Sequence, residues 1–361
     1  MDKSKSPSRS KVKFGVLGVS RFAMKKSLPR MAKCPEFQLH AIASRSEDKA
    51  AKAAEKLSVP VSYETYEKLL SDPSIDAVYI PLPIAMHAEW SIRALNSGKH
   101  VLCEKPIALS EAEAREIAEV QRYTGLIVAE ATMIRRHPQW RYVKEQIASN
   151  RIGKLRSIEF TVTYGNFDPG NIRNIKHLGG GALLDVGCYG VNVARWLFGE
   201  EPLAVVAMAE IDPDFGTDRL ISAILRFRQG QAVITTGTQQ AEYEGARIIG
   251  TAGSIELSVP LKSPPDYQCR VEVDDRRDPF GSGCGVEVFE IADQFTLQAE
   301  NFCHAVLLGE PVENPLHDAI LNMRVLDGIR RSVRSGRVER IGDVSSFSRD
   351  GLADGAALKS G

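Results

Sequence analysis

Between Lys11 and about Met133 the chain alternates short, continuous apolar runs with longer stretches whose apolar residues recur at helical spacing. VKFGVLG (Val12–Gly18), LHAIAS (Leu39–Ser44), AVYIPLP (Ala77–Pro83), HVLCEK (His100–Lys105) and LIVAEATM (Leu126–Met133) are rich in β-branched residues. Apolar residues at successive positions, without alternation, predict strands buried on both faces. The helical pattern falls on Ser46–Leu57, Ala85–Asn96 and Ser110–Tyr123. The last opens with Ser110-Glu-Ala-Glu113, close to a capping box, in which a hydroxyl and a carboxylate three residues on satisfy orphan amides. Strands separated by crossover helices predict a parallel, doubly wound sheet.

The period changes after a further helix predicted at Pro138–Asn150. KLRSIEFTVTY (Lys154–Tyr164) alternates apolar and polar residues, the signature of a sheet with one open face. Arg219–Gln239 reads as a hairpin about Gln229-Gly230, and Ala246–Val259 as a second about Thr251-Ala-Gly253. Helices are predicted near Gly181–Phe198, Ile291–Leu308 and His317–Ser335, and Lys262–Gly285, rich in Pro, Asp, Arg and Gly, reads as an irregular loop. The fold class is therefore α/β: a doubly wound Rossmann domain over 11–133, then an α/β domain over 134–341 built on a large, mainly antiparallel open sheet. Residues 1–10 and 342–361 lack apolar periodicity and are expected to be disordered.

A length of 361 residues suits two domains. Lys plus Arg and Asp plus Glu number 46 each, which argues against a dedicated nucleic-acid binder. No apolar run is long enough to span a membrane, and the first ten residues are not followed by the apolar core of a signal peptide. Six cysteines are scattered singly with no Cys-x-x-Cys pair, so neither a disulfide framework nor a structural metal is expected, and a cytoplasmic setting is.

Strand one runs into Gly18-Val19-Ser20-Arg21-Phe22-Ala23 and then a helix. A dinucleotide turn of the form G-x-G-x-x-G/A stands in this place, where helix N-terminal amides approach a pyrophosphate. Gly18 and Ala23 match it and Ser20 replaces the middle glycine; Gly18, Ser20, Arg21 and Phe22 are the expected contacts. The second strand ends in Ser44-Arg45, with Lys49 a helical turn later, where an NAD-selective protein would carry a carboxylate. A hydroxyl beside two cations suits a 2′-phosphate, so NADP(H) is favoured over NAD(H).

Strand five ends in Cys103-Glu104-Lys105-Pro106, at the sheet edge where ligands of such folds lie. Lys105 there can donate to a substrate oxygen and lower a neighbouring acid's pKa, and Glu104 is expected beside the cofactor. In the run Leu178–Pro202 three glycines open a helix that carries Asp185 and Tyr189 at i and i+4. A phenol and a carboxylate turned toward a lysine make a proton-transfer set, with the ammonium expected to help the phenol ionise. His137, before Pro138, reads as a helix cap, His177 as a surface residue, His100 as structural, and Trp90, Trp140 and Trp196 as core.

The glycine turn at Gly18, HAEWSIRALNSGKHVLCEKP (His87–Pro106) and GGGALLDVGCYGVNVARWLFGEEP (Gly179–Pro202) together resemble the glucose–fructose oxidoreductase/inositol dehydrogenase/MocA (Gfo/Idh/MocA) family, over roughly residues 12–340. The tyrosine matches its glucose–fructose oxidoreductase and dihydrodiol dehydrogenase branches. The resemblance implies a nicotinamide-dependent oxidoreductase moving a hydride to or from a carbinol or carbonyl carbon of a sugar, polyol or related cyclic diol. In it Tyr189 is the general acid/base, Lys105 orients the reacting oxygen, Asp185 and Arg173 contact substrate, and Leu82 and His87 neighbour the cofactor. Homodimers or homotetramers through the second domain's sheet are implied as well. The competing readings are a non-catalytic NADP-binding sensor of the same fold and an NAD-dependent glycosidase.

Overall fold

A computed structural model describes residues 11–342 apart from 276, 277, 279 and 281. The arm at 1–10 and the tail beyond 342 lie outside the described residues. Six strands form the first sheet: β1 (Val12–Leu17), β2 (Phe37–Ala43), β3 (Val61–Tyr63), β4 (Ala77–Ile80), β5 (His100–Cys103) and β6 (Val128–Glu130). They are all parallel, in the order β3-β2-β1-β4-β5-β6. The order reverses between β1 and β4, which opens a crevice at the carboxyl ends of those strands. Val12, Phe14, Val16 and Leu17 of β1 and all of β4 are buried, as continuous apolar runs require.

The helix Glu111–Thr124 starts at Ser110, whose Oγ accepts the Glu113 amide, while the Glu113 carboxylate reaches the amide of Leu109, one residue beyond the standard box. His137 does cap a helix, Pro138–Ala148, and Trp140 is wholly buried with its indole N–H on the Pro260 carbonyl. Trp196 is only partly buried, with Lys144 Nζ 5.4 Å and Arg135 Cζ 5.7 Å from its ring centroid.

The second sheet holds β7 (Leu155–Gly165), β8 (Ala204–Ile211), β9 (Asp218–Arg226), β10 (Gln231–Gly237), β11 (Gln239–Gly250), β12 (Ser254–Leu257), β13 (Arg270–Asp274), β14 (Cys284–Val288) and β15 (Glu339–Arg340). Their order is β14-β13-β12-β11-β7-β10-β9-β8-β15. The β7–β10 pair is parallel and the others antiparallel, so the sheet is mixed but mostly antiparallel. Both predicted hairpins form. The expected loop at Lys262–Gly285 is corrected: it contains β13 and the start of β14. Val271 and Val273 alternate inward between exposed Arg270 and Glu272, a four-residue signal hidden among charged neighbours.

Late segments pack back on the first sheet. Phe302 of the helix Gln294–Leu308 lies 5.6 Å from Phe14, ring centre to ring centre, and Thr296 Oγ1 donates to the Arg30 carbonyl. The helix Leu316–Ser335 sends Asp327 to the Glu111 amide and Arg324 to the Glu111 carboxylate. Among the described residues no helix is long and apolar enough to cross a membrane.

Candidate active site

The glycine turn follows β1 at once. Gly18 has φ +103°, and a Cβ there would stand 2.7 Å from Leu82 Cδ2, so backbone and Leu82 meet with no side chain between them. Ser20 Oγ accepts the Ala23 amide at 3.1 Å, which leaves its own proton to donate. The following helix begins as a wide π turn, Ala23–Ser27, before the α turn Leu28–Met31. Arg21 is exposed, whereas Phe22 packs edge-on against Phe295 with centroids 5.9 Å apart.

Ser44 is buried at the end of β2, and its Oγ accepts the Ser46 amide. Arg45 and Lys49 are exposed, and among the described residues neither has a carboxylate partner. Arg45 does touch the hydroxyl of Tyr66, a residue the sequence pattern did not single out. That hydroxyl stands 3.7 Å from where a Gly18 Cβ would be, and its ring meets Trp90 edge-on. The bare backbone turn after β1, at the switch point, fits a dinucleotide pyrophosphate, and Ser44, Arg45 and Lys49 stand together beyond the end of the neighbouring β2.

His87 is buried between the carbonyls of Leu82 and Pro106, with a ring nitrogen 2.8 Å from each. Burial lowers its pKa against the pull of those carbonyls. It thus ties the loop after β4 to the Glu-Lys-Pro segment. Glu104 accepts the Tyr79 hydroxyl at 2.6 Å, and Ser27 Oγ lies 2.8 Å from the same hydroxyl. Burial raises the pKa of Glu104, opposed by Tyr79 and Lys105.

Lys105 reaches across to the helix of the second half. Its Nζ donates to the Asp185 carbonyl at 2.5 Å and to Asp185 Oδ1 at 3.3 Å. Asp185 Oδ2 accepts Arg173 Nε at 3.0 Å and the hydroxyl of Tyr164. Burial alone would raise the Asp185 pKa, but Lys105, Arg173 and Tyr164 hold it well below the usual carboxylate range. Burial also opposes the charge on Lys105, and Asp185 overcomes it, so the ammonium is held more firmly than usual.

Asp185 and Tyr189 do share one helical segment, but a π turn, Leu183–Gly187, precedes the α-helix Cys188–Phe198. Their polar atoms do not meet. Tyr189 is buried, its hydroxyl 3.3 Å from Met133 Sδ, and Lys105 Nζ lies 4.9 Å from its ring centroid. The expectation that the ammonium helps this phenol ionise is corrected: burial, then the charge of Glu104, push its pKa well above that of a free tyrosine. The cation lies over the ring and not at the oxygen, and burial dominates.

The glycines before this helix are shaped by Asp218. A Cβ on Gly181, whose φ is +120°, would lie 2.0 Å from Asp218 Oδ1, while Asp218 Oδ2 accepts the Leu183 amide at 2.6 Å. Burial pushes the Asp218 carboxyl up to about 6. Neither Asp218 nor Tyr164 is singled out by the sequence pattern: Tyr164 reads as the end of an alternating strand, and Asp218 lies just before the hairpin read at Arg219–Gln239. Among the described residues no group of three or more His, Cys, Asp or Glu is placed to hold a metal ion.

A glycine turn at the switch point of a parallel sheet, facing a lysine held by a carboxylate, defines a dinucleotide-dependent oxidoreductase. The chain belongs to the Gfo/Idh/MocA family. The model of that oxidoreductase family's NAD-binding Rossmann fold matches residues 12–132, and the model of its C-terminal domain matches residues 140–256. An uncharacterized oxidoreductase of Rhizobium meliloti is 41% identical over 331 residues, covering 91% of this chain and 99% of the relative. D-xylose 1-dehydrogenase (NADP(+)) 2 of Haloferax volcanii is 32% identical, covering 90% and 98%. The crystal structure of a 3-ketoreductase from Actinomadura kijaniata in complex with NADP and TDP-benzene superposes with a TM-score of 0.83 at 32% identity, over 89% of this chain and 98% of that one. The protein is thus an NAD(P)-dependent oxidoreductase of a family that acts on sugar-like substrates.

Proposed function

We propose that this protein uses NADP(H) to interconvert a hydroxyl and a carbonyl at one carbon of a sugar, polyol or related cyclic diol. The observation that carries this reading is the Lys105–Asp185 pair beside the Tyr189 ring at the carboxyl end of β5. Bound NADP(H) supplies or accepts the hydride. Gly18, Ser20 and the amides of the turn would hold its pyrophosphate, and Ser44, Arg45 and Lys49 its 2′-phosphate. The unpaired cations support that choice, as do two similar proteins: one is named for NADP(+) and the other was crystallised with NADP.

Of the three protons on Lys105 Nζ, two go to Asp185, so the third is available to a substrate oxygen. Tyr189, kept neutral by burial, is suited to donate its proton to the oxygen of a carbonyl being reduced. Arg173 and Asp185 would contact sugar hydroxyls. This constellation favours catalysis over a purely sensing role. The open face of the second sheet exposes Met208, Ile224 and Tyr243, which supports pairing of two or four copies there.

The test is a turnover screen with both cofactors over aldoses, ketoses, inositols, deoxy-ketosugars and trans-dihydrodiols. Turnover with one class, faster with NADPH or NADP, is the expected result. Tight NADPH binding with no turnover on any class would instead make the protein a sensor.

A further inference from the structure

The two oxygens of Asp185 keep different company. Oδ1 faces Lys105 alone, while Oδ2 takes both Arg173 Nε and the Tyr164 hydroxyl. Arg173 comes from a short turn, Ile172–Asn174, and its side chain is 34% exposed. A carboxylate pinned at Oδ2 only by that loop could swing about its terminal torsion, which is soft. Tyr164 lies near the end of β7, next to Thr163, which is paired with Gly237 of β10 and Tyr243 of β11. The neighbouring Thr163 Oγ1 donates to the Ala241 carbonyl, and Lys262 Nζ lies 5.8 Å from the centre of the Tyr164 ring. The hydroxyl therefore reaches Asp185 from a sheet strand held at the neighbouring Thr163, a different element from the turn carrying Arg173.

Building on the proposed reaction, we infer that Tyr164 is a positioning residue: it fixes the plane of the Asp185 carboxylate so that Oδ1 holds Lys105 with its free N–H toward the reacting oxygen. Lys105 and Arg173 remain on Asp185 without it, so the charge stays and the aim is lost. Small misplacements of this kind cost rate more than binding.

Tyr164→Phe removes the hydroxyl and keeps the ring. The expected result is a kcat lower by about tenfold, with Kd for NADPH and melting temperature unchanged. In an Asp185→Asn background the same change should cost nothing further, since no carboxylate remains to be aimed. An unchanged kcat, a loss that adds fully to that of Asp185→Asn, or a variant that fails to fold would each overturn the inference. Lys105→Met serves as the control on the reading beneath it: if that variant keeps full turnover, the proposed chemistry is wrong whatever Tyr164→Phe does.

Discussion

Lys105 and Asp185, eighty positions apart in the chain, are joined by two hydrogen bonds from one ammonium, to the carbonyl and to the carboxylate of the same residue. The double contact sets where the cation sits, and the Asp185 charge holds it protonated against the opposing effect of burial. It is also the point at which the two sheets share one piece of chemistry.

Removing the proposed oxygen-orienting and proton-donating groups should be severe. Lys105→Met and Tyr189→Phe are each expected to lower kcat by about 10²–10³ with little change in NADPH affinity. Steady-state rates and fluorescence titration of the cofactor check this, and unchanged rates in both variants would reject the assignment.

Asp185→Asn should change the pH profile as well as the rate. Asp185 is the largest influence raising the Lys105 pKa against burial, so without that charge burial and Arg173 weigh more and the ammonium is lost at lower pH. The alkaline limb of kcat is expected to move down by about one unit or more. A limb that stays in place would mean that another group titrates there.

Arg45→Ala should distinguish the two cofactors. Loss of a guanidinium facing a 2′-phosphate is expected to weaken NADPH binding by about tenfold and leave NADH binding nearly unchanged. Equal losses for both would remove the 2′-phosphate from the account.

Asp218 gives stability a pH dependence of its own. Its folded-state pKa, about 6, lies above the ordinary 3.8, so its contribution is fully present below about pH 4 and lost as pH rises through about 6. Asp218→Asn should therefore gain stability relative to the parent between pH 4 and 7, by at most about 3 kcal/mol. Chemical denaturation at a series of pH values measures the difference, and a flat difference would show that the carboxyl does not titrate in that window.

The parts legible in the sequence are those whose signal is local. β1 with its glycine turn, the Glu-Lys-Pro segment and the helix carrying Asp185 and Tyr189 each combine a buried run with a distinctive cluster of residue types. What stayed hidden depends on contacts far apart in the chain. Tyr164 looks like any aromatic on a half-buried strand until β7 brings it to Asp185, and Asp218 acquires a role only when β9 places it against Gly181. Which way the Tyr189 hydroxyl points is likewise set by Met133, on a segment that no spacing rule links to it. β13 was missed because four alternating residues among charged neighbours look the same in a loop.

The return of the late helices to the first sheet has a consequence for biosynthesis. Phe14 and Arg30 leave the ribosome long before Phe302 and Thr296, their partners in the folded protein. The nascent dinucleotide half therefore waits with one flank bare until the residues after Asp293 have been made. It reaches its final packing only once the helix Gln294–Leu308 has been made. The segment that carries the glycine turn is thus finished by residues made long after it, and deleting Gln294–Leu308 would strip the packing from Phe14 and Arg30 on the cofactor side directly.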